Sequence, residues 1–317
     1  MSALEDSARP APRWGLVVHG GTGNEPRESL PPGREAAIRA ALTEALHAGH
    51  GVLSRGGPSL EAVTAAIQVL EDSPFFNAGR GAVFTHEGRN ELDASVMNGH
   101  TREAGAVAGL RHVKNPILLA RAVMEKSPHV MLIGEGAEAF ARQQGVELVP
   151  ESYFHTEERW QALQLALEAE KEDGPGGSAL KFGTVGAVAL DQAGHLAAGT
   201  STGGMTNKRF GRVGDSPLIG AGTHANEHCA VSSTGHGEYF IRYAVAHDLC
   251  ARMAYQHRPL EESARHVILR LREAGGEGGV IAMDVRGHVA MPFTTLFMNR
   301  GSMGADGVPS VALFQEP

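Results

Sequence analysis

Thr184 follows Gly183 at the head of an apolar run, Val185-Gly186-Ala187-Val188-Ala189-Leu190. A Gly-Thr peptide bond is open to attack by its own threonine hydroxyl, because glycine tolerates backbone strain that other residues resist. If that bond breaks, Thr184 becomes an N-terminus that carries a hydroxyl nucleophile and a free amine on one residue. That pairing is a recognised way to activate a threonine. If the bond stays intact, Thr184 is an ordinary strand residue. The dipeptide alone does not choose between the two.

Other stretches also carry chemistry-bearing side chains. His224-Ala225-Asn226-Glu227-His228 matches the H-x-x-E-H pattern of a zinc peptidase class. That chemistry needs a helix with both histidines on one face. Here Gly220 to Thr223 and Val231 to Gly235 flank the segment, so a long helix is not expected and neither is zinc. Thr200-Ser201-Thr202-Gly203-Gly204-Met205-Thr206-Asn207-Lys208 has the glycines, hydroxyls and lysine of a phosphate cradle but not the P-loop order. Its other reading puts small hydroxyl residues where a backbone must approach an active site closely. In Gly211-Arg212-Val213-Gly214-Asp215-Ser216-Pro217, Arg212 and Asp215 read either as a surface ion pair or as a device for a free amino acid. In the second case the guanidinium grips an α-carboxylate and the aspartate accepts from an α-ammonium. In Ser232-Ser233-Thr234-Gly235-His236-Gly237-Glu238 the glycines allow backbone N–H groups to face a developing oxyanion. A plain strand-to-helix turn is the other reading.

These residues need elements to hold them. Gly15 to Gly21 reads as a short buried strand ending in a glycine turn. Helical spacing runs from Arg34 to Leu53. Ser59 is expected to cap a second helix, whose face is Leu60, Val63, Ile67 and Leu70 and which ends at Pro74. Strands are expected near Ala82–Thr85, Glu91–Asn98 and Gly105–Leu110, and helices over Asn115–Lys126 and Glu135–Gln144. Thr156 to Glu172 is a charged helical stretch, and Asp173-Gly174-Pro175-Gly176-Gly177-Ser178 is a linker by composition. After Thr184, strands flank turns at Asp191–Gly194 and Asp284–Gly287, and helices are expected over Glu238–Tyr255 and Leu260–Glu273. Hairpins mixed with helix pairs point to antiparallel sheets covered by helices, in four layers.

Composition narrows the function classes. The chain has 317 residues, 42% of them hydrophobic, and a net charge of −8. That charge argues against nucleic acid and anionic membrane as partners. No apolar run has the length of a membrane helix. Residues 1–13 read as a disordered leader without a signal-peptide core. Cys229 and Cys250 are too few for a disulfide framework, so a reducing compartment, the cytoplasm, is expected.

Taken together and in order, these words resemble the plant-type (type III) L-asparaginase and isoaspartyl peptidase family of N-terminal-nucleophile hydrolases. The resemblance runs from Trp14 to Phe314 and includes His19-Gly20-Gly21, Leu70-Glu71-Asp72-Ser73-Pro74-Phe75-Phe76-Asn77-Ala78-Gly79 and Glu91-Leu92-Asp93-Ala94, besides the four stretches at 183–189, 200–208, 211–217 and 233–238. It implies an α+β fold, a four-layer αββα sandwich made as an inactive precursor. Cleavage between Gly183 and Thr184 would give an α subunit (14–183, with 155–183 a mobile linker region) and a β subunit (184–317) in one composite domain.

The resemblance also assigns roles. Thr184 is the nucleophile, and Thr202 hydrogen-bonds near it. Thr234 and the Gly235 N–H form the oxyanion hole, and Asn77 lies beside the nucleophile. Arg212 and Asp215 fix the α-carboxylate and α-amine, while Gly235 and Gly237 shape the pocket. A structural sodium ion is implied on the backbone carbonyls of Leu70, Glu71, Ser73, Phe76, Ala78 and Arg80, with no organic cofactor. The implied substrates are asparagine and β-aspartyl dipeptides, and the implied assembly is a homodimer of αβ units. Two departures border the pocket: His224 stands where many relatives have tyrosine, and the stretch before Ser233 is a residue shorter. The rival readings are a glycosylasparaginase-like amidase and an unprocessed, non-catalytic binding relative.

Overall fold

The structure is a computed structural model that describes residues 14–173 and 183–315. The expected leader, and the glycine-rich linker from Gly174 onward, lie outside the described residues. The first half of the chain runs β1 (Gly15–Gly23), α1 (Arg34–Ser54), α2 (Ser59–Asp72), β2 (Leu92–Asn98), β3 (Ala104–Leu110), α3 (Pro116–Lys126), β4 (Met131–Ile133), α4 (Gly134–Gln144) and α5 (Glu157–Asp173). The second half runs β5 (Val185–Leu190), β6 (Leu196–Thr202), β7 (Thr223–Ala225), β8 (Cys229–Gly235), α6 (Gly237–Tyr243), α7 (Val245–Gln256), α8 (Leu260–Glu273), β9 (Gly278–Asp284), β10 (Val289–Ala290), β11 (Phe297–Gly304) and β12 (Pro309–Phe314).

Eight strands form one sheet in the order β12-β11-β1-β5-β6-β2-β3-β4, and four form a second in the order β10-β9-β8-β7. The sheets face each other, with β5 and β6 against β8. Helices α1 to α4 cover the outer face of the large sheet, and α7 and α8 cover the small one. This is an α+β sandwich of four layers, αββα. Each helical layer has its own apolar core, one built on residues such as Leu46, Ile67 and Leu110, the other on Phe240, Leu249 and Ile268. Between the sheets, one region is apolar around Val188, Leu196 and Ile281. The strand faces there also carry buried hydroxyls, which belong to the site.

The sequence misplaces several details. Ser59 is the first helical residue of α2 rather than its cap. Its N–H is satisfied instead by the Asp191 carboxylate at 3.0 Å, a partner 132 residues away. The strand expected at Ala82–Thr85 is reduced to isolated bridges of Phe84 with Asn90 and Thr85 with Lys208. The helix expected over 238–255 breaks at Ala244, whose φ of 46° is left-handed, so α6 and α7 are separate. By contrast, the charged stretch expected to be helical over 156–172 is α5, docked by Trp160 against the Phe84 ring and by Glu170 on Asn207 and Arg209. Finally, Cys229 and Cys250 form a disulfide. Strand β8 packs on α7, which brings their Cα atoms to 5.8 Å, within bonding reach. That bond removes the reason for expecting a reducing compartment.

Candidate active site

Thr184 sits at the threshold of β5, in the middle of the large sheet. The antiparallel register of β5 and β6 sets Val185 opposite Ser201 and Gly186 opposite Thr200. One step earlier, that register brings residue 184 beside Thr202. The Thr184 hydroxyl donates to Thr202 Oγ1 at 3.1 Å, and Thr202 Oγ1 also accepts the Gly204 N–H at 3.0 Å. Both threonines are buried. The nucleophile candidate is therefore aimed by a neighbour whose own position is fixed by the backbone.

The same cavity is lined by Thr184, Thr202, Arg212, Asp215 and Gly235. Arg212 does not pair with Asp215. Its guanidinium donates to both carboxylate oxygens of Glu238, at 2.9 and 2.8 Å. The ion-pair reading of the Arg212 and Asp215 word thus gives way to a different pair, made across the start of α6. Asp215 is buried, and its Oδ2 has no partner among the described residues. Burial pushes its carboxyl up to about 7, against the opposing pull of Arg212. Gly237 stands between the two groups: a Cβ there would lie 2.8 Å from an Arg212 nitrogen and 2.8 Å from Asp215 Oδ1. Only glycine leaves that space open.

Strand β8 of the second sheet delivers Thr234 and Gly235 to the same end of the sandwich. Gly235 has φ 148°, and a side chain there would collide with the Glu277 carbonyl. Thr234 is fully buried, and its hydroxyl has no hydrogen-bond partner among the described residues. An unsatisfied buried hydroxyl costs stability unless it serves a partner that comes and goes.

Gly183 lies on the far side of Thr184. Its carbonyl accepts the Asn77 N–H at 3.0 Å. The Asn77 side chain is spent on loops: Nδ2 donates to the Gly204 carbonyl at 2.7 Å, and Oδ1 accepts the Val83 N–H at 3.0 Å. So Asn77 meets Gly183 through its backbone. Gly21 closes the other side. The β1 register slips between His19 and Thr22, Gly21 takes φ 92°, and a Cβ there would lie 2.4 Å from the Gly183 Cα.

Sequence reasoning missed a line of polar groups between the sheets. His19 Nε2 is 2.9 Å from Ser232 Oγ, which is 2.7 Å from Thr200 Oγ1. Thr223 donates to Thr200 at 2.6 Å, and Ser95 lies 2.8 Å from Thr223 and 2.7 Å from the Ser216 carbonyl. The line runs from His19 on β1, the strand paired with β5, to the residue after Asp215. Burial holds His19 down to about 3, with a Thr184 backbone hydrogen bond opposing, so it is neutral. The only sequence signal was that Ser95, Thr200, Thr223 and Ser232 are polar within otherwise apolar strands.

Two motifs take other roles. His224 is on β7 and His228 lies just before β8, so this segment is a β-hairpin and not the helix zinc chemistry requires. Burial, aided by His247, brings His224 down to about 4, and neither ring nitrogen has a hydrogen-bond partner among the described residues. Lys208 is buried and its ammonium donates to the Glu91 carbonyl at 3.2 Å, so it is not presented to a phosphate.

The 70–80 loop folds back on the end of α2. Cβ atoms on Gly79 and Gly81 would lie 2.3 Å from the Glu71 carbonyl and 2.1 Å from the Phe76 carbonyl. Bare glycine backbone thus faces carbonyl oxygens, the donor type that suits a hard cation. The Leu70 and Ala78 carbonyls each also accept an N–H, from Ser73 and Gly81. The Glu71 side chain is a separate feature. It is buried, accepts from Ser201 at 2.6 Å and from the Ile117 N–H at 3.0 Å, and is pushed up to about 8 chiefly by burial.

Residues 12–313 match the family model described as Asparaginase. The chain is 48% identical to the isoaspartyl peptidase of Escherichia coli (strain K12), over 95% of this chain and 96% of that protein. It is 46% identical to the isoaspartyl peptidase of Salmonella typhimurium, over 95% and 98%. It is 43% identical to a probable isoaspartyl peptidase/L-asparaginase 2 of Arabidopsis thaliana, over 95% and 99%.

Proposed function

The chain belongs to the asparaginase family of N-terminal-nucleophile hydrolases, and we propose that it cleaves the side-chain amide of L-asparagine and the β-linkage of isoaspartyl dipeptides through a Thr184 acyl-enzyme. The observation that carries this reading is the pairing of a hydroxyl held on Thr202 with two buried polar atoms that have no partner among the described residues, Asp215 Oδ2 and Thr234 Oγ1, at one end of the sandwich. Groups left unsatisfied in the free protein are those a substrate would satisfy.

In the precursor, Thr184 Oγ1 attacks the Gly183 carbonyl carbon. The C–N bond to Thr184 breaks, its nitrogen takes the proton, and Gly183 becomes an ester on the hydroxyl. Water then releases the Gly183 carboxylate and leaves Thr184 with a free amine. That amine, with a reference pKa of about 8, is partly neutral near pH 7 and acts as base for its own hydroxyl. In turnover, Thr184 Oγ1 attacks the substrate β-carbonyl. Thr234 and the Gly235 N–H stabilise the oxyanion, the amine leaves as ammonia or an amino acid, and water frees aspartate. Arg212 holds the α-carboxylate and Asp215 the α-ammonium. Glu238, now on Arg212, shares that guanidinium with the substrate. One aspartyl site serves both substrates because both present the same free α groups.

A structural sodium ion on the carbonyls of Leu70, Glu71, Ser73, Phe76, Ala78 and Arg80 would brace the loop that carries Asn77. Two αβ units would associate as a homodimer, acting on a small amino acid or dipeptide. The direct test incubates matured protein with L-asparagine, a β-aspartyl dipeptide and a glycosylated asparagine, with aspartate release as the readout. Turnover of the first two supports the reading. Turnover of the glycosylated substrate alone would make the protein a glycosylasparaginase-like amidase instead.

A further inference from the structure

Gly183 also lines a second, much larger cavity, of about 530 Å³, whose walls include Gly21, Asn77, Phe75, Arg34 and Arg159. Thr184 lines the narrow cavity with Arg212 and Asp215, and Gly183 lines the wide one. The two spaces therefore meet at the bond that maturation would break.

An aspartyl group fixed by Arg212 and Asp215 fills the narrow side. Whatever is attached to its β-carbonyl points away from those anchors, toward the position of Gly183. Ammonia ends there. The second residue of a β-aspartyl dipeptide does not, and it carries a free carboxylate.

The wide cavity has cations placed for that carboxylate. Arg159 donates through Nε to the Gly81 carbonyl at 3.0 Å. Among the described residues, its two terminal nitrogens have neither a hydrogen-bond partner nor an ion pair. Burial is the main influence lowering its pKa, the nearby Arg34 also lowers it, and Glu158 and Glu25 oppose. A bound anion would offset both unfavourable influences. Arg34 is 3.0 Å from an exposed Glu158 carboxylate and stacks over the Phe75 ring at 4.7 Å. It is held at the wall rather than free to swing away. Phe75 and Phe314 line the same cavity and offer apolar surface for a side chain. We propose that this cavity is the leaving-group subsite, in which Arg159, seconded by Arg34, binds the α-carboxylate of the amino acid released from a β-aspartyl dipeptide. This rests on the hydrolytic reading above and adds the chemical class of the leaving group that the enzyme prefers.

The test needs no variant at first. Matured wild-type protein is assayed on L-asparagine, on β-aspartyl-leucine and on β-aspartyl-leucine amide, which lacks the carboxylate. A charge-assisted hydrogen-bonded contact predicts kcat/KM about tenfold higher for the free acid than for the amide. Arg159→Met is then expected to erase that preference, lowering kcat/KM for the acid relative to asparagine by a similar factor. Equal rates on acid and amide would overturn the subsite, as would an Arg159→Met variant that keeps the preference or that slows asparagine and dipeptide alike. Absence of turnover on all three substrates would instead overturn the hydrolytic reading itself.

Discussion

Thr234 is the residue at which function and stability can be separated. A buried hydroxyl without a partner is a folding cost, whereas an oxyanion donor is worth its cost only during turnover. Thr234→Val keeps the shape and removes the hydroxyl. It is expected to lower kcat by ~10²-fold or more while leaving Tm unchanged or higher. A fall in Tm with kcat intact would assign Thr234 to structure alone. Asp215 makes a pH prediction. Its carboxyl, raised to about 7 by burial, must be ionised to accept an ammonium. In the free enzyme, kcat/KM is therefore expected to drop as pH falls through about 7, and Asp215→Asn removes that limb along with most of the substrate affinity. An unchanged acid limb in the variant would assign it to another group. Thr184, Arg212 and Asp215 were legible because each lies in a short word with its own chemical logic. The Arg212–Glu238 pair, 26 residues apart, and the hydroxyl line from His19 to Ser216 were not. Such contacts come from strand order and sheet packing, which no local spacing encodes.

At the scale of elements, the sharpest case is Glu71, near the end of α2. It joins β6 through Ser201 and the start of α3 through Ile117, and it is buried as a neutral acid with its pKa near 8. The folded state thus holds this proton more tightly than the unfolded chain, whose Glu titrates near ~4.3. The stabilisation is complete below that value and is lost progressively as pH rises toward about 8. Glu71→Gln, which stays neutral, is expected to gain in Tm relative to its parent between pH 5 and pH 8. Made in a Thr184→Ala chain, the comparison is free of cleavage. A Tm difference that does not change with pH would show that Glu71 is ionised in the fold. The β5–β6 hairpin was readable from its turn residues, and α3, α4 and α8 from apolar spacing. The cap of α2 was not, because its acceptor is Asp191 in that hairpin's turn, brought there only by folding. The disulfide between β8 and α7 was hidden for the same reason.

For the whole molecule, the sandwich sets a single bond, Gly183–Thr184, at the centre of the candidate site. The two sheets bring the threshold of β5, the end of β6 and the end of β8 together. Gly183 is wedged there between Gly21 and Asn77, with a narrow space on one side and a wide one on the other. The sequence predicted four layers and the hairpins at 191–194 and 284–287, but not the order of the remaining strands, since the eight-strand order interleaves both halves of the chain. If the αβ units pair, the native mass is expected to be twice the 33.4 kDa of the chain, before and after cleavage, by native mass spectrometry. Under the proposed function, this chain is a precursor whose Thr184 gains its base only when the bond before it breaks. Denaturing intact-mass spectrometry during incubation, beside Thr184→Ala, tests it most directly. The wild type is expected to convert to two fragments divided between Gly183 and Thr184, with amidase activity rising in step, and the variant to stay at 33.4 kDa without activity. A wild-type chain that hydrolyses asparagine while remaining whole would contradict it.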